Sequence, residues 1–527
     1  MSLVPFLLIA FIGATASLVV RGPDRLATAI GIVGLVGAII AALAISPAGS
    51  LLVGGSGIAT TAYVRLYLVL GSVVGLILVI VGSAAGTRRD ASAVTLAVLG
   101  TSGLALALPD PRIAVLAATA GGIFGALVCV APLGGRAGAT VGVRVLRATI
   151  VAGTMAIAAT AWIGRDLSDL AAQPVVFGLA FLAMALAVAI RFGAIPLHGW
   201  AARLTDAVPE TTLPLVTAWA PSALAIVAVA WADSSIAPLL VDVEGARLVV
   251  LGIAILSIVL AALAAWIQED LEHLVGYAII GDAGVVMLAV AALDPAAWAP
   301  ARMWILAFVV ARSALAAWAA ATRTTFFTGR IGDLGGWAIR SPLLATTFVI
   351  TVVAGIGLPG LAAFDARGAL IDLTLDGPIA WLVWLGVLAP LATYARLFIV
   401  GVSRPGPTAS DGTGWRPRIA PLSLTDLPRW ATMTWSDNKA PTASIGALVL
   451  AVLALGVSAG MFDGPGASAG LPPTIESATE TFEPEPSLEP EPEPGASSEP
   501  GSSVDEEPSL EPEPEGSGPS FEPVPTP

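Results

Sequence analysis

The chain has 527 residues, of which 56% are hydrophobic and only 12% charged, and its mean hydropathy is +0.87. That is too little polar surface to cover a soluble core of this size, so a single soluble domain is excluded and an integral membrane protein is left. The formal charge of -13 comes with no basic excess that would draw nucleic acid.

In chain order, fourteen apolar runs are each long enough, as helices, to cross about 30 Å of hydrocarbon. They lie near residues 3–20, 26–46, 62–83, 91–108, 112–132, 147–164, 174–195, 211–232, 247–267, 272–293, 301–322, 341–362, 378–400 and 442–462. Their continuous apolarity excludes the alternating pattern of a membrane β-barrel. The first run lacks a basic leader and a cleavage site, so it reads as a retained helix. The expected class is therefore all-α and polytopic.

Positive charge sets an expected orientation. Loops after odd-numbered runs hold 16 Lys and Arg residues, and loops after even-numbered runs hold 5, Arg112, Arg165, Arg247, Arg302 and Arg367. The odd loops are then cytoplasmic and both termini outside, in a cell membrane of the bacterial inner-membrane type. The expected organisation is helices 1 to 3 over 1–90, a core of helices 4 to 13 over 91–400, a Pro-rich cytoplasmic loop over 401–441, helix 14 over 442–462 and a tail over 463–527. That tail holds 16 acidic residues and no basic one, with repetition such as EPEPSLEPEPEPG. Such a composition cannot bury enough apolar surface to fold, and a solvated spacer is its simplest reading.

The chemical inventory is sparse. One cysteine, Cys129, and two histidines, His198 and His273, cannot hold an iron–sulfur cluster, and Cys129 reads as a small core residue. No glycine-rich nucleotide loop follows a strand. No cofactor is expected on this chain.

Charge inside or beside apolar runs is costly and points to an ion or substrate path. Arg191 stands near the end of run seven, Asp282 in the middle of run ten, Arg312 in the middle of run eleven, and Asp365 and Arg367 just beyond run twelve. Arg65 and Arg396, near run ends, are explained by snorkelling to the interface. Asp282 and Arg312 read equally well as a titrating carboxylate with a neighbour and as a static ion pair.

Helix breakers add a second signal. Pro196 interrupts run seven after Arg191, and GIGLPG at 355–360, with Pro359, interrupts run twelve before Asp365 and Arg367. Runs seven and twelve are each fourth in consecutive sets of five, and breaks at matching positions are the sign of an inverted-repeat transporter. Two unrelated kinks would give the same pattern.

Three blocks carry a family resemblance. RFGAIPLHGW at 191–200, followed by DAVPETTLPLVTAW at 206–219, is similar to the signature of the antiporter-like membrane subunits of respiratory complex I. WIQEDLEHLVGYAIIGDAG at 266–284 and GDLGGWAIRSPLLATTFVITVVAGIGLPGLAAF at 332–364 resemble two further family blocks, in the same order and spacing. Mrp-type antiporters and membrane-bound hydrogenases share this module. The resemblance implies fourteen core helices, two inverted five-helix repeats with helices seven and twelve broken, and a half-channel in each repeat joined by a polar axis. The expected end of the helices at run fourteen, with no lateral helix, makes the resemblance one to the two shorter complex I paralogues more than to the longest.

Departures from the family pattern bear on mechanism. The family's helix-seven lysine is replaced by Arg191, its helix-five glutamate has no counterpart in RIAVLAATAGGIFGALVCV, and Leu224 occupies its helix-eight lysine position. A guanidinium stays charged above about pH 12, so Arg191 is a poor proton carrier, which leaves Asp282 as the best titratable group on the axis. His198, with an ordinary pKa near about 6.5, suits either a relay or a structural interface histidine. Asp206 and Glu210 are expected at the cytoplasmic mouth. Glu269, Asp270, Glu272 and His273 make acidic a loop that is basic in the family.

Two readings of function follow. One is a proton- or cation-translocating subunit of a complex I-like, redox-driven assembly, with redox subunits and any quinone supplied by partner chains. The other is a non-conducting structural paralogue in such a complex. An independent secondary transporter is a weaker third.

Overall fold

The computed structural model describes residues 2–20, 24–53, 56–85, 90–130, 135–162, 174–236, 243–403, 445–446 and 448–450. All belong to the first of two units, residues 1–474; the second, 475–527, lies outside the described residues. So do the loop expected at 401–441, except for its first residues, most of the expected helix 14, and the acidic tail.

The chain runs α1 (Val4–Val19), α2 (Asp24–Leu43), a hairpin of β1 (Ala48–Val53) and β2 (Ser56–Thr61), α3 (Ala62–Ala84), α4 (Asp90–Ala107), α5 (Pro111–Val130), α6 (Gly135–Trp162) and α7 (Pro174–Phe192). It continues with α8 (Ala220–Ser235), entered through a π-helical turn at Leu215–Trp219, then α9 (Glu244–Ile267), α10 (Leu271–Ala292), α11 (Trp298–Phe326), α12 (Pro342–Ile356), α13 (Ala362–Thr374), α14 (Gly377–Leu388) and α15 (Pro390–Val402). Among the described residues, nine helical spans are long and apolar enough to cross a membrane. The protein is an all-α, multi-pass membrane protein.

Burial sorts these spans. The most apolar stretches of Leu215–Ser234 and Pro295–Phe326 are wholly buried, whereas those of Leu26–Leu43 and Gly377–Val402 are only 28% buried. The exposed faces of the outer helices are apolar, with Leu8, Ile12, Val33, Ile40, Leu256 and Leu263 among their outward side chains, as a hydrocarbon solvent requires. Lipid gives helices no hydrophobic reason to associate, so small residues that permit close packing decide contacts. At Gly284 of α10 a Cβ would lie 2.8 Å from the Ala254 carbonyl oxygen and 3.0 Å from the Ile258 nitrogen of α9, so the two backbones touch there.

Four boundaries differ from expectation. Helix six starts at Gly135, so Arg144 and Arg147 are helical and not in a loop. Run twelve is two helices, α12 and α13, so Asp365 and Arg367 fall inside the second of them and not beyond the run. Run thirteen divides before Pro390, whose ring lacks the N–H needed for a continuous helix. The segment at 48–61 is an antiparallel hairpin, registered Ala48 to Thr61 and Val53 to Ser56.

Helices seven and twelve end alike. α7 stops before Gly193 at φ +65° and α12 before Gly357 at φ +63°. Both adopt a left-handed conformation open to glycine and costly for a residue with a Cβ. At Gly357 a Cβ would also fall 2.9 Å from the Phe364 nitrogen.

A candidate ion-translocation axis

Breaking a helix inside a membrane frees backbone groups that must find protein or water partners. After α7, the Ile195 nitrogen donates to Ser257 Oγ of α9 at 2.9 Å. Trp200 Nε1 donates back to the Ile190 carbonyl at 2.8 Å. After α12, Arg367 of α13 performs this role. Its Nη1 donates to the Ile356 carbonyl at 2.5 Å and its Nη2 to the Gly357 carbonyl at 3.4 Å. The guanidinium also lies 5.6 Å from the centroid of the Trp304 ring and 5.5 Å from that of Trp384. A cation at a helix C-terminus meets the negative end of the helix dipole, and the aromatic faces add cation–π attraction. Arg367 is thus the cap of the break.

Asp282 and Arg312, the two readings of which were open from sequence, form a pair. Arg312 Nε on α11 donates to Asp282 Oδ2 on α10 at 2.5 Å, and Arg312 Nη1 donates to the Tyr394 hydroxyl of α15 at 2.6 Å. The side chains of Arg312 and Asp282 are 5% and 13% exposed. Asp282 and Tyr394 line a small pocket together with Ala261, Tyr277 and Val387. Tyr394 was not anticipated. It is one of only four tyrosines in the chain, and a phenol inside an apolar run was the available signal.

The first half differs. Arg191, 1% exposed, donates through Nη1 to Thr149 Oγ1 of α6 at 3.0 Å. Its Nε and Nη2 are buried without a hydrogen-bond partner. The guanidinium lies flat against α5, where a Cβ on Gly122 would fall 2.5 Å from Arg191 Nη2. The carboxylate missing from helix five is therefore replaced by empty glycine surface and the arginine itself. Leu224 of α8, expected from sequence to stand at the family's helix-eight lysine position, is buried.

Hydroxyls and indoles bridge the centre. Tyr67 of α3 shares a hydrogen bond of 2.6 Å with Ser222 of α8, and Trp219 Nε1, in the π-helical turn, donates to Ser313 Oγ beside Arg312 at 3.0 Å. π-helical turns recur at functional sites.

Two carboxylates in the loop after α7 meet partners from later helices. Glu210 is fully buried and pairs with Arg323 of α11 at 2.8 Å, although the angle does not make a hydrogen bond of the contact. Burial pushes the Glu210 carboxyl up, against the opposing pull of Arg323. His273 Nε2 lies 3.1 Å from Asp206 Oδ1, so the 266–284 block reaches the loop after α7. His198 sits half-buried on a short turn at Leu197–Gly199, its Nδ1 buried without a partner. Asp365 is exposed on the first turn of α13, so it is not gathered onto the axis. Pro196 and Pro359 are exposed within the two breaks.

Comparison with known proteins agrees with this architecture. Residues 152–393 match the family described as NADH:quinone oxidoreductase/Mrp antiporter, transmembrane. NADH-quinone oxidoreductase subunit N of Rhodococcus opacus is 28% identical over 229 residues, 43% of this chain and 41% of the relative. The corresponding subunit of Hydrogenovibrio crunogenus is 26% identical over 43% of this chain and 47% of the relative. The chain thus spans about half the length of the curated relatives it matches. Among solved structures, the fold is similar to a chain of the Mrp complex from a Dietzia species, with a TM-score of 0.67, 18% identity and coverage of 89% and 95%. A chain of respiratory complex I from Thermus thermophilus gives a TM-score of 0.65, 17% identity and coverage of 88% and 100%.

The fold, with its two broken helices, is similar to that of antiporter-like membrane chains. Residues 152–393 thus resemble the family described as NADH:quinone oxidoreductase/Mrp antiporter, and the whole fold is similar to chains of an Mrp complex and of respiratory complex I.

Proposed function

We propose that this chain is a proton-translocating membrane subunit of a complex I-like, redox-driven assembly, with the Asp282 site as its working element. The observation that carries the reading is a carboxylate in the middle of α10, paired with Arg312, which Tyr394 also binds, at the wall of a small pocket. A proton reaching Asp282 neutralises it and weakens its hold on Arg312. The guanidinium, already bonded to Tyr394, can then release the carboxylate, and re-formation of the pair expels the proton. Only a two-position element of this kind lets distant chemistry drive an ion. That chemistry belongs to partner chains, which would carry the redox centres and any quinone; this chain would hold none. Both termini would face outside a bacterial inner membrane.

One observation favours the second reading for the first half alone. Arg191 has no carboxylate facing it from α5 and no lysine follows at Leu224, so that half would be a structural remnant of the family's path.

Purification of the tagged chain from native membranes in mild detergent tests the assembly. Co-purification with flavin- and iron–sulfur-containing subunits is expected; recovery of the chain alone would refute it.

A further inference from the structure

We infer that Trp219 is a positioning residue for Arg312, and that through it the first half of the chain acts on the Asp282 pair in the second. Resting on Asp282 as the working carboxylate, this assigns the residue that sets the place of its partner. Trp219 closes the π-helical turn at Leu215–Trp219 and is 2% exposed. Pro221, the second residue of α8, has no N–H to return to the turn, so an ordinary α-helical bond is missing there.

The indole is held from three helices. Its Nε1 donates to Ser313 Oγ of α11 at 3.0 Å, and Ser313, fully buried, donates in turn to the Val309 carbonyl at 2.7 Å. The Trp219 carbonyl accepts from Ser222 Oγ of α8 at 2.7 Å, and Ser222 is bonded to the Tyr67 hydroxyl of α3 at 2.6 Å. The Tyr67 ring meets the indole edge-on, with centroids 5.2 Å apart, and at Gly71, one turn further along α3, a Cβ would fall 3.0 Å from Trp219 Cζ3. The indole also walls a small pocket with Gly71, Gly75, Thr95 and Thr211.

Ser313 directly follows Arg312 on α11, so the bond from Trp219 fixes the backbone from which the guanidinium reaches Asp282. Arg312 has to release the carboxylate and return to it. Its other side-chain partner, Tyr394, holds the guanidinium but does not draw it back to Asp282. A fixed origin on α11 makes return to the carboxylate the favoured move. Leu224 of α8 carries no charge, so α8 acts on α11 at this level through a hydrogen bond and packing and not through a charged side chain. α8 belongs to the first set of five runs and α11 to the second, which makes Trp219 a joint between the halves.

Proton-to-electron ratios of the intact complex in proteoliposomes test this, with Asp282→Asn as reference. A net hydrogen bond shifts an equilibrium by a factor of about two to ten. Trp219→Phe and Ser313→Ala should each lose about half or more of the protons per electron pair that Asp282→Asn loses. The double variant should lose no more than the worse single one, because both changes delete the same bond. Ser313→Thr keeps the acceptor hydroxyl and should pump as wild type. A wild-type ratio in a folded, assembled Trp219→Phe complex would overturn the inference, and with a lowered ratio in Asp282→Asn the reading of Asp282 would still stand. Losses that add in the double variant would overturn it as well, since two separate packing defects behave that way. If Trp219→Phe fails to assemble, equal pumping by Ser313→Ala and Ser313→Thr overturns it. An unchanged ratio in Asp282→Asn removes the reading and this inference together.

Discussion

Arg312 Nε stands 2.5 Å from Asp282 Oδ2, joining α10 to α11 near the middle of both helices. Both side chains are almost wholly buried, so removing one strands the other. Arg312→Met should destabilise the protein by about 3–5 kcal/mol, the cost typical of breaking a buried pair. Tyr394→Phe removes only one acceptor of Arg312 and should cost about 1–3 kcal/mol. Thermal unfolding in detergent ranks the two; a larger loss for Tyr394→Phe would contradict the pairing.

Arg367 should matter for local order at the break. Arg367→Leu leaves the Ile356 and Gly357 carbonyls without their donor, at about 1–3 kcal/mol for each unsatisfied group. Hydrogen exchange over 353–368 should quicken in the variant while exchange in α3 stays as in wild type.

Glu210 gives a pH dependence with a definite sign. Its carboxyl is raised by burial, so its contribution to stability is fully present below the ordinary carboxylate range and is lost as pH rises through the raised value. Thermal stability should therefore fall on going from acid toward neutral pH, and Glu210→Gln should flatten that fall. A steeper fall in the variant would show that Arg323 dominates the carboxylate instead.

Gly284 tests the contact between α9 and α10. Gly284→Ala forces a methyl group against the Ala254 carbonyl and the Ile258 backbone, and overpacking of this kind costs about 1–3 kcal/mol. Gly252→Ala, where a Cβ meets nothing within 4 Å, should be near neutral in the same thermal assay.

Much of this was legible in the chain. Hydropathy located helices one to twelve within a few residues in most cases, because a bilayer demands length and apolarity that composition reports directly. The glycine and proline breaks after Arg191 and at 355–360 were equally plain. Side-chain partners were not. Tyr394 reaches Arg312 across 82 residues of sequence and Arg323 reaches Glu210 across a still longer gap, and no local periodicity encodes such pairs. Arg367 looked like a path residue because charge within the membrane is rare. Its carbonyl contacts make it first a cap. Asp365, two residues before it, faces outward because neighbouring positions on a helix point in different directions. The start of α6 at Gly135 was hidden by Arg144 and Arg147, which interrupt the apolar run without interrupting the helix.

The most direct test of the central claim is the number of protons moved per electron pair by the intact complex in proteoliposomes, compared between wild type and Asp282→Asn. Asparagine keeps the size of the side chain and removes its titration. The account predicts that the variant still oxidises substrate but moves fewer protons per turnover. An unchanged ratio in a folded, fully assembled Asp282→Asn complex would contradict it.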